Sequence, residues 1–277
     1  MKQRLIVAGI GVPLLLLALL ACPPWVTMLL VCGISGVAAY ELLHTAGKNV
    51  PLPLYILTVT MAVLQELIIF RAQSAEMGAL VYVVAPWLLI MGSFYLAVRA
   101  YGTEKEFPFL NVAAAAVGGI VFPLMYSCLF LLRLQRFGKV FVLMPFVIAF
   151  IGDTFSMLGG MWFGKNSKKF APHVSPKKTW VGAIAGPIGS SLGMLLLEIV
   201  AHAAWGYGAN VPMLLLVGVL ANVFGQLGDL SMSLIKREAG IKDYSHLFLT
   251  HGGMLDRFDS TMFIAPVVFF FVWSGLL

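Results

Sequence analysis

VPMLLLVGVLANVFGQLGDLSMSLI, residues 211–235, is an apolar run long enough to cross the ~30 Å hydrocarbon core of a bilayer as a helix. It nevertheless carries an asparagine, a glutamine and an aspartate. On a helix turning about 100° per residue, Asn222, Gln226, Asp229, Ser233 and, just beyond, Lys236 all project within a sector of about 80°. One side of the helix is therefore polar for several turns. Such a stripe can be a hydrogen-bonding seam between membrane helices. It can also line a wet groove, and the ionisable pair Asp229 and Lys236 on the same stripe favours the groove.

The rest of the chain has the same apolar character. Of 277 residues, 60% are hydrophobic and 11% charged, whereas soluble domains carry about 25% charged residues. Apolar runs predict nine spans, at about 5–20, 24–43, 52–70, 79–98, 110–133, 139–163, 179–204, 211–235 and 256–277. The expected fold is all-α, a polytopic integral membrane protein. No internal repeat or low-complexity linker divides residues 1–277, so they read as one membrane domain, with N-terminal helices over 1–140 and the polar motifs over 141–277. Lys2 and Arg4 followed by an apolar run ending at Cys22 have the outline of a cleaved lipoprotein leader, but a retained first helix is the favoured reading. Cys22-Pro23-Pro24 then makes a tight turn, because paired prolines cannot continue a helix. Cys22, Cys32 and Cys128 match no metal or disulfide spacing and read as small core residues.

The net charge is +6, but the basic residues lie in loops between apolar helices, where they face anionic headgroups or set orientation; nucleic acid is not an expected partner. An odd number of spans puts the termini on opposite sides. With the N-terminus in the cytoplasm, fourteen of the eighteen basic residues fall on the cytoplasmic side, and Arg71, Arg133, Arg136 and Lys139 do not. The two longest polar connections, about 164–179 and 236–256, also face the cytoplasm in this arrangement, where a water-soluble cosubstrate would arrive.

Ionisable groups inside spans cost at least ~2.5 kcal/mol and need a partner or a cavity. Glu66 and Glu198 lie toward the outer ends of their helices and read as structural; Asp153 and Asp229 lie in the cytoplasmic halves of theirs. Gly152, Ser156, Gly160 and Gly164, and likewise Gly182, Gly186 and Ser190, recur every four residues and predict close backbone packing. Asp153 lies beside the first ladder.

Lys165, Lys168, Lys169, Lys177 and Lys178 crowd the loop that follows. They could be no more than an orienting anchor. Ser175-Pro-Lys177-Lys178-Thr179, however, brings hydroxyls and ammonium groups to a helix N-terminus, which attracts anions, and this favours binding of a triphosphate. The densest stretch follows: Ser233-Leu-Ile-Lys236-Arg237, Lys242-Asp243, then His251-Gly252-Gly253-Met-Leu-Asp256-Arg257-Phe-Asp259-Ser260. Asp256 and Asp259 could serve only the helix dipole. Alternatively they hold Mg²⁺, whose usual ligands in phosphoryl-transfer sites are one or two carboxylates, water and substrate phosphates. Gly252 and Gly253 would let backbone N–H groups approach a phosphate. His251 has no second histidine at ligand spacing, so zinc is not expected.

Ser-x-x-Lys-Arg, the following Lys-Asp and His-Gly-Gly-x-x-Asp-Arg-x-Asp, spanning Ser233 to Asp259, resemble the signature of the CDP-diacylglycerol synthase (phosphatidate cytidylyltransferase) family. Gly152-Asp153-Thr154, Phe163-Gly164-Lys165, Ser175 to Thr179 and Leu227-Gly228-Asp229 are similar to further segments of that family, in the same order. Two departures are Leu249-Thr250, where the family usually has Pro-Gly, and Met161, where a basic residue is common. The resemblance implies a Mg²⁺-dependent transfer of a cytidylyl group from CTP to phosphatidic acid, in phospholipid biosynthesis. It implies metal ligation by Asp229, Asp256 and Asp259, with Asp153 and Asp243 as weaker candidates. Lys177, Lys178, Lys236 and Arg237 would hold phosphates, supported by Ser175, Thr179 and Ser233, with Lys242, His251, Gly252, Gly253 and Arg257 as further substrate contacts. The expected partners are CTP, phosphatidic acid and membrane lipids; a homodimer is left open. The expected location is the bacterial inner (plasma) membrane, with the site facing the cytoplasm. The rivals are a CTP-dependent kinase of a membrane lipid, which would attack the γ-phosphorus, and an ion-coupled transporter. Against the transporter, the polar residues cluster to one side rather than at the midplane.

Overall fold

A computed structural model describes residues 9, 11–72, 78, 80–248 and 252–277. Among these, the apolar runs form helices α1 (Gly11–Ala21), α2 (Pro24–Ala46), α3 (Leu52–Arg71), α4 (Leu80–Ala100), α5 (Phe109–Arg133) and α6 (Gly138–Trp162), followed by α7 (Trp180–Trp205), α8 (Val211–Glu238) and α9 (Leu255–Trp273). Seven of them, α2 to α8, are long and apolar enough to cross a bilayer, which makes the chain an integral membrane protein. Of the run expected at 5–20, residues 5–8 and 10 lie outside the described residues and the rest contains α1, and the run at 256–277 appears as α9, whose first turns carry Asp256, Arg257 and Asp259. Large apolar side chains on the outside fit a lipid solvent: Val98 is 74% exposed, Ile199 64% and Ile184 61%.

Local chemistry sets the helix ends. Pro24 opens α2 at its first turn, where the missing N–H costs nothing, so Cys22-Pro23-Pro24 is the expected break between helices. Thr179 caps α7, its Oγ1 accepting from the Gly182 N–H at 3.1 Å. Gly206, at φ 64°, closes the same helix in the left-handed conformation.

The helical architecture holds as expected, with one small addition that the sequence reading did not include. Lys169–Ala171 (β1) and Ser175–Thr179 (β2) pair antiparallel, with Lys169 opposite Thr179 and Ala171 opposite Ser175. The strands are too short, and too lysine-rich, to show an apolar alternation. Pro176 is tolerated because a two-stranded ribbon has only edges.

The chain divides into two compact units, residues 1–130 with 238–257, and residues 131–237 with 258–277. In the first, α2, α3 and α5 approach closely at Gly118 and Gly119, where a Cβ would press on the backbone of Ala39 and of Thr58. Glu66 is buried there and accepts from Ser35 Oγ at 2.5 Å. In the second unit, α6, α7 and α8 pack through the predicted small-residue ladders. A Cβ at Gly182 would meet the Ser156 carbonyl, and one at Gly152 would overlap Asn222 and Ser190. Behind this seam, Ile148, Met194, Leu214, Val217, Ile264 and Val268 form an apolar core.

Candidate active site

Within the second unit the polar stripe of α8 performs both jobs that its sequence left open. At its deeper end it is a seam: Asn222 Nδ2 donates to the Ile148 carbonyl at 3.5 Å, and Gln226 Nε2 to the Ala183 carbonyl at 3.0 Å and Asn222 Oδ1 at 2.7 Å. These bonds tie α8 to α6 and α7. Toward its C-terminus the stripe turns into a cavity wall.

That cavity, of about 590 Å³, is lined by Asp153, Ser156, Lys165, Lys169, Lys177 and Lys178, with Thr179, Gln226 and Asp229 completing its polar surface. Each element contributes in a way its sequence explains. Helix α6 supplies Asp153 and Ser156 from beside its glycine ladder, the hairpin β1–β2 supplies Lys169, Lys177 and Lys178, and α8 supplies Asp229. Lys178 Nζ lies 2.5 Å from Asp229 Oδ2, and Ser233 Oγ, one turn on, donates to Asp229 Oδ1 at 3.4 Å. Asp259 is buried, accepts from its neighbour Ser260 N–H at 2.7 Å, and lies within electrostatic reach of Asp229, Lys236 and Asp153. Lys236 is also buried. Arg237 is exposed, and its Nε donates to the Val174 carbonyl at 3.3 Å, which steadies the hairpin turn.

Hence the structure gathers Asp153, Lys177, Lys178, Thr179 and Asp229 around one cavity, with Asp259, Ser233 and Lys236 linked to its carboxylates. Lys165 and Lys169 were recognised in the sequence only as part of a basic loop; here they line the cavity wall. Ser175 opens β2 opposite Ala171. Met161, at a position that departs from the family pattern, also lines the cavity.

The motif residues that follow belong to the first unit and have their own geometry. Asp256 Oδ2 accepts from the backbone N–H groups of Tyr244 at 2.8 Å and Gly253 at 2.9 Å. The carboxylate expected on metal thus shapes its own loop. Gly252, at φ 79°, has no room for a Cβ against Asp256, and a Cβ at Gly253 would collide with the carboxyl group of Glu41. The two glycines therefore admit carboxylates close to the backbone, and the Gly253 N–H expected to meet a phosphate is occupied by Asp256. Lys242, Asp243 and Arg257 are exposed. His251, with Leu249 and Thr250, lies outside the described residues.

Glu41 is the residue that the sequence reading missed. Buried at 2% exposure near the end of α2, it accepts from Ser245 Oγ at 2.6 Å, Met254 N–H at 2.9 Å and Leu255 N–H at 2.8 Å. A glutamate near the end of an apolar helix looks like an ordinary interfacial residue. Only its burial marks it, and its partners lie more than 200 positions away in the chain.

The donor set fits a hard divalent cation. Asp153 and Asp229 line one cavity and Asp259 acts electrostatically on both, while Ser156 Oγ in the wall is buried without a hydrogen-bond partner. Among the described residues no three histidine, cysteine, aspartate or glutamate side chains form a ready-made cage. Magnesium needs none, because it takes one or two carboxylates and leaves its other positions to water and substrate phosphates.

The chain is similar to several known proteins. The chain is 34% identical over 183 residues to a phosphatidate cytidylyltransferase of Rickettsia typhi, covering 64% of this chain and 79% of that one. It is 36% identical over 155 residues to the phosphatidate cytidylyltransferase of Rickettsia prowazekii, covering 55% and 67% of the two chains. With the enzyme of that name from Staphylococcus haemolyticus it shares 35% identity over 184 residues, covering 65% and 66%. A sequence profile of the Cytidylyltransferase family matches residues 2–274, nearly the whole length. The chain belongs to the Cytidylyltransferase family.

Proposed function

We propose that this protein is a phosphatidate cytidylyltransferase, joining CTP and phosphatidic acid to give CDP-diacylglycerol and pyrophosphate. Its namesake relatives support the substrate pair. The observation that carries the chemistry is the cavity, in which Lys165, Lys169, Lys177 and Lys178 surround Asp153 and Asp229. Four ammonium groups suit a triphosphate, and carboxylates among them suit its cation. In the reaction an oxygen of the lipid phosphate attacks the α-phosphorus of CTP, and the bond from that phosphorus to the bridging oxygen breaks to release pyrophosphate. No side chain has to remove a proton, because a phosphate monoester is already largely ionised near neutral pH. Lys177 and Lys178 bind and orient the triphosphate, Lys236 and Asp259 set the charge beside it, and Asp229 and Asp259, with Asp153 at the same cavity, would hold the metal. Bound Mg²⁺ supplies charge neutralisation at the phosphates. The chain spans the bacterial inner membrane nine times with this cavity open to the cytoplasm, where CTP is made.

The test is product analysis with purified protein in lipid, Mg²⁺ and phosphatidic acid. Label from α-labelled CTP should enter the lipid, and label from γ-labelled CTP should leave as pyrophosphate. Transfer of γ-label to lipid would make the protein a lipid kinase, and turnover of neither label would remove the enzyme reading.

A further inference from the structure

The first unit contains a clamp that the reaction chemistry does not require and that no sequence motif announces. Helix α2 presents Glu41, whose two carboxyl oxygens take three donors from the segment before and at the start of α9: Oε1 accepts from Ser245 Oγ and Met254 N–H, and Oε2 accepts from Leu255 N–H. The first N–H groups of a helix have no partners within it, so Met254 and Leu255 would otherwise lack acceptors where α9 begins. Glu41 therefore performs an N-cap's job from another helix.

The clamp extends into the loop. Ser245 Oγ also accepts from Leu247 N–H at 3.3 Å, and Phe248 N–H donates to the Gly252 carbonyl at 3.0 Å. Asp256 Oδ2 takes Tyr244 N–H and Gly253 N–H, so each of the two carboxyl groups bridges the same two ends, 244–245 and 253–255. Gly253 must lack a side chain because Glu41 occupies the space where its Cβ would stand.

This held stretch carries Lys242, Asp243, Gly252, Gly253 and Asp256, the residues whose order resembles the family signature. We infer that Glu41 is a positioning residue for the transfer reaction: by clamping Ser245, Met254 and Leu255 it fixes the geometry of residues 242–248 and 252–257, and it touches no substrate itself. The inference rests on the cytidylyltransferase reading, because it requires that segment to serve CTP.

The wild-type protein in lipid must first convert α-labelled CTP and phosphatidic acid; failure there defeats the functional reading and the positioning role with it, while the clamp itself is read independently by hydrogen exchange. In Glu41→Gln one of the acceptor oxygens becomes a donor facing N–H groups, so exchange at the Met254 and Leu255 amides should quicken at least about tenfold whatever the activity. Unchanged exchange overturns the clamp. In the active enzyme kcat should fall about tenfold or more and KM for CTP should rise several-fold. A smaller folded fraction would lower kcat but would not move KM, so quickened exchange with wild-type KM and kcat would make Glu41 a structural cap only and sink the positioning role. If Glu41→Gln does not accumulate in the membrane, Ser245→Ala decides, since it removes one donor to Glu41, together with the acceptor of Leu247 N–H, and leaves the Met254 and Leu255 bonds to Glu41 in place. It should raise KM for CTP by about twofold to fivefold, and a wild-type value overturns the inference.

Discussion

Asp229 receives a cation and a hydroxyl on its two oxygens, Lys178 Nζ at 2.5 Å and Ser233 Oγ at 3.4 Å, while facing the same cavity as Asp153. A carboxylate so supplied is held for use with a charged ligand, and its isostere should retain shape but lose function. Asp229→Asn should therefore reduce cytidylyl transfer by about 10²-fold or more with membrane insertion unchanged, measured as labelled lipid formed per folded enzyme. Glu198, in contrast, lies on α7 outside the lining of the cavity, and Glu198→Gln should keep most of the activity in the same assay. Loss of activity in Glu198→Gln, with normal insertion, would mean that the site has been placed wrongly. Asp229, Asp153 and the lysines were legible in the sequence because charge inside or beside an apolar run is costly and so marks itself. Glu41 and the structural share of Asp256 were not, since their meaning depends on backbone N–H groups that no residue type reveals.

At the scale of elements, the glycine ladders were readable as close packing, but what they approach was not. Gly152 faces the point where Ser190 Oγ, at 2.8 Å, and Asn222 Nδ2, at 3.5 Å, both donate to the Ile148 carbonyl. A methyl group there would push the two donors off and loosen α6 from α7 and α8. Gly152→Ala should cost about 1–3 kcal/mol, visible as a lower thermal midpoint in detergent. Gly33, also inside an apolar helix, has open space around its would-be Cβ, so Gly33→Ala should leave the midpoint unchanged or raise it slightly. Equal destabilisation by both substitutions would show that helix propensity, and not the seam, is being measured. The hairpin β1–β2 escaped the sequence reading for a related reason. It is a ribbon of lysines whose pairing comes from backbone bonds and from the edge contact of Phe170 with Trp180, 4.6 Å between ring centres, and not from an alternating apolar face.

For the molecule as a whole, the membrane crossings were legible because bilayer thickness imposes a length, and α2 to α8 match the predicted runs closely. Orientation follows from charge instead. With the N-terminus in the cytoplasm, the connections after even-numbered helices face inward, and these include 163–179 and 239–254, which carry the phosphate-binding candidates. The connection after α5 then faces outward with Arg133, Arg136 and Lys139, against the usual bias of basic residues toward the cytoplasm. The two signals conflict, and a labelling experiment separates them. The native cysteines can be replaced first: Cys32 and Cys128 are buried and Cys22 is half-buried, so small substitutes fit. A membrane-impermeant maleimide applied to intact cells should then leave Lys168→Cys unmodified if the exposed hairpin faces the cytoplasm, as proposed, and should modify Arg136→Cys. Breaking the membrane should render both reactive. The reverse pattern would place the lysine-lined cavity outside the cell, where no CTP is made, and the proposed reaction would fail along with the orientation.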